Sequence, residues 1–166
     1  GYDSWGVALQ TENKLCITKD IGKISGVDAK QFEASSSLAI AHSRWATHGG
    51  VTSLNAHPHT DSSGEIAVVH NGIIENYEEL KHELELEGVK FVSQTDSEVI
   101  PHLLSSFVHQ GFSFVDAFRK TCLRLHGRFA ILAIHQTEHC LIAARIGSPL
   151  IVGVGKKEIF IFFQNK

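Results

Sequence analysis

Arg44, Trp45, Thr47 and His48 crowd one short stretch, Ala41-His42-Ser43-Arg44-Trp45-Ala46-Thr47-His48-Gly49. The apolar run from Leu38 to Ala41 leads into it and reads as a buried strand. A buried strand that delivers a guanidinium, an indole, a hydroxyl and an imidazole to its tip has the makings of a binding site. Of these groups only the guanidinium offers a planar fork matched to a carboxylate or phosphate. The plainer reading is a strand end with a solvated Arg and a half-buried Trp.

Two further stretches are built the same way. The apolar run Ile66-Ala67-Val68-Val69 ends in His70-Asn71-Gly72, and Thr95-Asp96-Ser97-Glu98 sits where a helix should start. Asn71 can offer a side-chain amide and Gly72 a backbone N–H to a developing oxyanion, with Gly allowing close approach. Asn-Gly is equally a preferred type I′ turn pair. Asp96 can take an ammonium group, or simply act as a carboxylate favoured at a helix N-terminus. Together Arg44 and Asp96 could read both charges of an amino acid. Three element ends tipped with hydrogen-bonding groups predict one pocket where they converge.

The histidines allow a rival chemistry. His57-Pro58-His59-Thr60-Asp61 has the His-x-His-x-Asp spacing of some zinc hydrolases, and His42, His48 and His70 could complete a site. Against it, Asp61 is followed by Ser62 rather than a third close ligand, and no Cys lies near. The remaining histidines, such as His82, His126 and His139, read as surface or helix-end residues.

The elements that must carry these groups follow from pattern. Trp5 to Leu9 and Leu15 to Thr18 read as strands joined by the turn Thr11-Glu12-Asn13. Asp28 to Ser35 reads as a short helix, and Leu38 to Ala46 as the strand that presents Arg44. Gly49 to Gly64 reads as a functional loop, because apolar strands flank it closely. Glu65 to His70 is a strand, and Asn76 to Gly88 a helix with Tyr77, Leu80 and Leu84 on one face and Gly88 as C-terminal cap. Thr95-x-x-Glu98 has the capping-box pattern, which predicts Thr95 as N-cap of a helix to about His109, bent at Pro101. Ser113 to His126 predicts a second helix with Val115, Phe118, Cys122 and Leu125 on its apolar face. Phe129 to His135, Cys140 to Arg145, Leu150 to Val154 and Glu158 to Phe163 predict four closing strands. Strands, then helices, then strands suit an α+β fold.

Bulk properties narrow the class. A chain of 166 residues with 43% hydrophobic and 20% charged residues is expected to form a single domain with a true core. A net charge of −3 argues against nucleic acid or an anionic membrane as partner. No apolar run approaches the ~18 residues of a membrane span. Three cysteines without paired spacing suit a reducing compartment, most simply the cytoplasm.

Taken in order, Arg44-Trp45-Ala46-Thr47-His48-Gly49, Asn55-Ala56-His57-Pro58-His59, His70-Asn71-Gly72-Ile73-Ile74-Glu75-Asn76-Tyr77 and Thr95-Asp96-Ser97-Glu98 resemble a known set. They are similar to the glutaminase domain of glutamine–fructose-6-phosphate aminotransferases, which are class II, N-terminal-nucleophile glutamine amidotransferases. The resemblance runs from Gly1 to about Ile161. It implies a four-layer αββα sandwich of two mainly antiparallel sheets flanked by helices. It implies hydrolysis of glutamine through a thioester, with ammonia passed to fructose 6-phosphate to make glucosamine 6-phosphate on a separate sugar-isomerase domain. The parent enzyme would be a homo-oligomer with no cofactor and no metal. It implies Asn71 and Gly72 as the oxyanion hole, and Arg44, Trp45, Thr47, His48 and Asp96 as the substrate-binding set, with Trp45 gating the ammonia path.

The resemblance also implies an N-terminal Cys nucleophile whose α-amine is the base. Here the sequence starts Gly1-Tyr2-Asp3-Ser4, which matches an internal family segment. Cys16, Cys122 and Cys140 read as small buried hydrophobes. Trp5 stands where the family has a small residue, and Phe160-Ile161-Phe162-Phe163-Gln164 replaces the family's Phe-x-Ala-Ser-Asp. The expectation is one glutaminase domain, incomplete at both ends, without glutaminase activity of its own. The alternatives are a non-catalytic glutamine-binding domain on the same pocket and the His-rich zinc hydrolase.

Overall fold

The computed structural model describes residues 3–12, 14–28, 32, 36–46 and 49–163. Two strands, Ser4–Gln10 (β1) and Leu15–Ile21 (β2), form a hairpin, and Ala39–Arg44 (β3) pairs with β1 on its other side. The short strand His59–Thr60 (β4) leads to Ile66–Ile74 (β5). Helices Tyr77–Leu86 (α1), Val99–His109 (α2) and Phe114–Arg124 (α3) follow, with a 3-10 turn at Asp96–Glu98 before α2. Gly127–His135 (β6) and Leu141–Ile146 (β7) complete an antiparallel sheet of order β4-β5-β6-β7. Leu150–Val154 (β8) and Ile159–Phe163 (β9) form a separate hairpin.

The period of two in β5 and β6 explains the layering. Ile66, Val68 and Ile74 of β5 and Phe129, Ile131 and Ala133 of β6 pack against Leu80, Leu84, Ile100, Leu104 and Phe118 of the helices. The intervening Ala67, Val69, Leu132 and Ile134 turn the other way and meet Ala8 and Ile40 of the β2-β1-β3 sheet. A side-chain period of two puts alternate residues on opposite faces, so both faces of this sheet are buried. Helices, four-stranded sheet and three-stranded sheet are thus three layers of the expected sandwich among the described residues. Full burial of side chains such as Ile66, Ile131 and Phe129 contributes roughly 1.5–3 kcal/mol each.

Several local expectations are corrected. Asn71-Gly72 is not a turn: both residues lie within β5, paired with Ala130 and Phe129 of β6. Glu98 does not close a capping box, and the Thr95 side chain does not cap the turn. The Glu98 carboxylate accepts instead from the backbone N–H groups of Val92 (2.9 Å) and Ser93 (2.7 Å). The α-helix begins at Val99, so Pro101 falls in its first turn, where backbone donors have no intrahelical partner and a proline need not bend the helix. On α3 the buried residues are Phe114, Ala117, Phe118 and Thr121, whereas Val115 is 41% exposed. The helix expected over Asp28 to Ser35 lies largely outside the described residues. No described helix is long and apolar enough to cross a membrane.

Among the described residues the β8–β9 hairpin carries a run of exposed apolar side chains. Ile161 and Phe163 turn onto the inter-sheet core, while Ile159, Phe160 and Phe162 of β9 and Val154 of β8 are largely exposed. An uncharged, β-prone run of this kind templates pairing with another chain. Sedimentation is expected to show concentration-dependent association that Phe160→Lys weakens. A monomer at all concentrations, with cooperative unfolding, would contradict this.

Candidate active site

The site is assembled where β3, β5 and the 3-10 turn end together. Arg44 closes β3, paired with Ser4 of β1, and is 6% exposed. Its Nη1 donates to the Gly50 carbonyl at 3.3 Å. Burial lowers its pKa, and the carboxylates of Asp3 and Asp96 act in the opposite direction. Asp3 also accepts from the Ala46 N–H at 2.8 Å, which fixes the chain just beyond Arg44.

Asn71 faces a cavity of about 230 Å³ between the sheets, lined also by Ala41, His42 and Ser43 of β3, Leu132 of β6 and Ile161, Phe162 and Phe163 of β9. Gly72, next along β5, has φ +133°, and a Cβ there would overlap the Arg128 carbonyl oxygen of β6. Only Gly fits this conformation beside that carbonyl. Asp96 is held against the same end of β5: its Oδ2 accepts from the Ile74 N–H at 2.7 Å. Asn71 thus lines the cavity with Gly72 next to it, Asp96 is bonded to the same end of β5, and Arg44 lies near enough to Asp96 for the two charges to interact. Trp45 is 71% exposed just beyond the strand end. Thr47 and His48 lie outside the described residues.

Asn55 ties these elements to one another. It is 1% exposed, its Nδ2 donates to the Gly50 carbonyl at 2.9 Å, and its Oδ1 accepts from the Gln94 N–H at 2.9 Å. One side chain thereby joins the loop that receives Arg44 to the loop that leads into Asp96. On the other flank Lys19 donates to the carbonyls of Ala56 (3.0 Å) and Pro58 (3.2 Å), which pins the His57 loop to β2.

Four imidazoles pack behind the site. His42 stacks on His57 with ring centroids 4.4 Å apart, and His57 meets His59 edge-on at 4.7 Å and lies 6.4 Å from His70. Burial disfavours the charged form of each. It pushes His42 and His70 down to about 4, His59 to about 3, and His57 well below the usual value. Sequence spacing raised these residues as metal ligands, but several of the groups concerned are engaged elsewhere. Asp61 is turned away, accepting from Ser63, Ser105 and the Ile66 N–H. His59 Nε2 pairs with Thr95 Oγ1 at 3.0 Å, and His57 Nδ1 accepts from the His70 N–H at 3.2 Å. Among the described residues no group of three or more His, Cys, Asp or Glu is arranged to hold a metal ion.

None of the three cysteines lines the cavity. All are unpaired; Cys16 lies in β2, and Cys122 and Cys140 sit beside the helix-side core. Burial pushes the Cys122 thiol up to about 11 and raises that of Cys140, the reverse of an activated nucleophile.

A family profile described as a glutamine amidotransferase domain matches residues 42–163. The chain is 52% identical to the glutamine–fructose-6-phosphate aminotransferase (isomerizing) of Methanothermobacter thermautotrophicus and 50% identical to that of Aquifex aeolicus. Each match covers 97% of this chain, which spans 28% and 27% of those relatives. Among solved structures, the glutamine phosphoribosylpyrophosphate amidotransferase from B. subtilis, complexed with ADP and GMP, superposes with a TM-score of 0.81 at 28% identity. That match covers 97% of this chain and 35% of the other. The fold is that of the N-terminal-nucleophile hydrolases. The chain belongs to the glutamine amidotransferase domain family.

Proposed function

We propose that this chain is the glutamine-hydrolysing, ammonia-supplying domain of an enzyme that makes glucosamine 6-phosphate from fructose 6-phosphate and glutamine. The observation that carries the reading is the placement of Asn71-Gly72. Asn71 lines the cavity, the next residue is one that only Gly can occupy, and Asp96, bonded to the same strand at Ile74, is near enough to Arg44 for their charges to interact. Arg44 would take the α-carboxylate of glutamine and Asp96 its α-ammonium. Asn71 and the Gly72 N–H would stabilise the oxyanion as the side-chain amide is attacked. Trp45, 71% exposed just beyond Arg44, would gate the ammonia path, and Thr47 and His48 would complete the pocket. The fructose 6-phosphate chemistry would belong to the part of the relatives that this chain does not match. A cytoplasmic location accords with three unpaired thiols.

The test is calorimetric titration with L-glutamine, L-asparagine and D-glutamine. Selective binding of L-glutamine is expected, and equal or no binding of all three would sink the reading. The absence of a thiol from the cavity lining favours a second reading, a glutamine-binding domain without catalysis. Glutamate release separates the two. Replacing Cys16, Cys122 or Cys140 by Ser is expected to leave any such release unchanged.

A further inference from the structure

Asp96 is held by a hydrogen-bonded chain that neither the family match nor the sequence motif assigns. Its Oδ2 accepts from the Ile74 N–H, and its Oδ1 lies 3.3 Å from Ser97 Oγ. Ser97 Oγ in turn lies 2.8 Å from His70 Nδ1. Ser97 and His70 are each 3% exposed. His70 precedes Asn71 on β5, so its ring faces away from the cavity wall that Asn71 forms.

Proton counting gives this chain a direction. A serine hydroxyl has one proton to donate. An ionised Asp96 can only accept, so the Ser97 proton goes to Asp96. The contact with His70 must then be made by an Nδ1–H that donates to Ser97 Oγ. A neutral imidazole carrying its proton on Nδ1 leaves Nε2 bare. Among the described residues His70 Nε2 is indeed a buried atom without a hydrogen-bond partner. A bare acceptor is tolerated there more readily than an orphaned N–H. The backbone fixes His70 as well, because its N–H donates to His57 Nδ1 at 3.2 Å.

We propose that His70 is a positioning residue, acting through Ser97 to hold the Asp96 carboxylate in place for the α-ammonium group of an amino-acid substrate. This rests on the glutamine reading above. Two oxygens offer about four acceptor sites, and the two occupied here leave the outer ones for an ammonium. His70 and Asn71, adjacent on one strand, thus serve opposite ends of the same ligand.

Two measurements test this. Long-range ¹H–¹⁵N NMR of the imidazole rings in ligand-free protein is expected to find His70 as the Nδ1–H tautomer. An Nε2–H tautomer overturns the relay whatever the protein binds. Titration then compares L-glutamine with 4-carbamoylbutanoate, which lacks only the α-amino group. Ser97→Ala is expected to lower the preference for glutamine roughly tenfold while leaving the affinity for the analogue unchanged. His70→Asn places an amide N–H near the position of Nδ1 and should keep most of the preference, whereas His70→Phe should lose it. Equal weakening of both ligands by Ser97→Ala would reduce His70 and Ser97 to packing. Wild-type protein without any preference for glutamine would instead sink the glutamine reading, leaving the tautomer to decide the relay.

Discussion

Replacing Arg44 by Ala is expected to weaken glutamine binding by about 2–5 kcal/mol, the usual cost of truncating one partner of a buried charge pair. Such a loss runs from roughly thirtyfold to a few thousandfold. The side chain is nearly buried, and its charge is balanced by Asp3 and Asp96 rather than by solvent. Removing it deletes the carboxylate contact and leaves those two anions without their cation. Lys19, another partly buried cation, is committed to the Ala56 and Pro58 carbonyls. Arg44→Lys should recover little, because a point charge cannot reproduce a two-pronged contact. Arg44 also reaches the Gly50 carbonyl, so part of any loss could come from the loop. Thermal unfolding of the same variants separates the two: a binding defect leaves the midpoint nearly in place. Wild-type affinity in Arg44→Ala would mean that the clamp is misassigned.

What the sequence could and could not disclose divides along the range of the interactions. The strands were legible because a period of two is a local signal, and β5 and β6 carry it on both faces. Arg44 and Asn71 were legible as candidates because each follows an apolar run, and Asp96 because it opens a helical turn after a threonine. Asn71-Gly72 misleads locally, since the pair prefers a turn. It stays in β5 because β6, more than fifty residues later, supplies Ala130 and Phe129 as pairing partners. Glu98 misleads in the same way. Its reach back to Val92 and Ser93, rather than to Thr95, depends on how the preceding loop folds over the turn. The imidazole cluster was half visible. His57 and His59 advertise themselves by spacing, but His42 and His70 come from two different sheets, and only packing shows that the four rings cluster around His57. Ser97 carried no signal beyond its place beside Asp96.

Those four rings make acid the condition under which this fold should fail. In the folded state burial holds His42 and His70 near 4 and His59 near 3, against about 6.5 in an unfolded chain. Each folded-state pKa is depressed, so between these values the unfolded chain binds more protons than the folded one. Stability therefore rises with pH through this window. The contribution is complete above about pH 6.5 and is lost progressively as pH falls toward 4. At about 1.4 kcal/mol per pKa unit, His42 and His70 contribute on the order of 3 kcal/mol each and His59 somewhat more. Each is a sizeable fraction of the roughly 5–15 kcal/mol stability of an ordinary domain, and because the rings act on one another their losses do not simply add. Cooperative unfolding is thus expected before pH 4 is reached. Glu98 acts in a lower window. Burial pushes its carboxyl up, but the nearby His102 ring, 3.6 Å away, and hydrogen bonds from Ser93 and Val92 outweigh this and hold it at about 2, so its contribution fades only below about pH 4.5. Urea midpoints measured from pH 8 to pH 4 should be level above pH 7 and fall steeply below 6. The slope reports the excess protons bound by the unfolded chain, and it should drop by about one in His42→Phe, which keeps an aromatic ring against His57 and Phe163 without the titrating nitrogen. A midpoint that stays level from pH 7 to 5 would show that the cluster is open to protons in the folded protein.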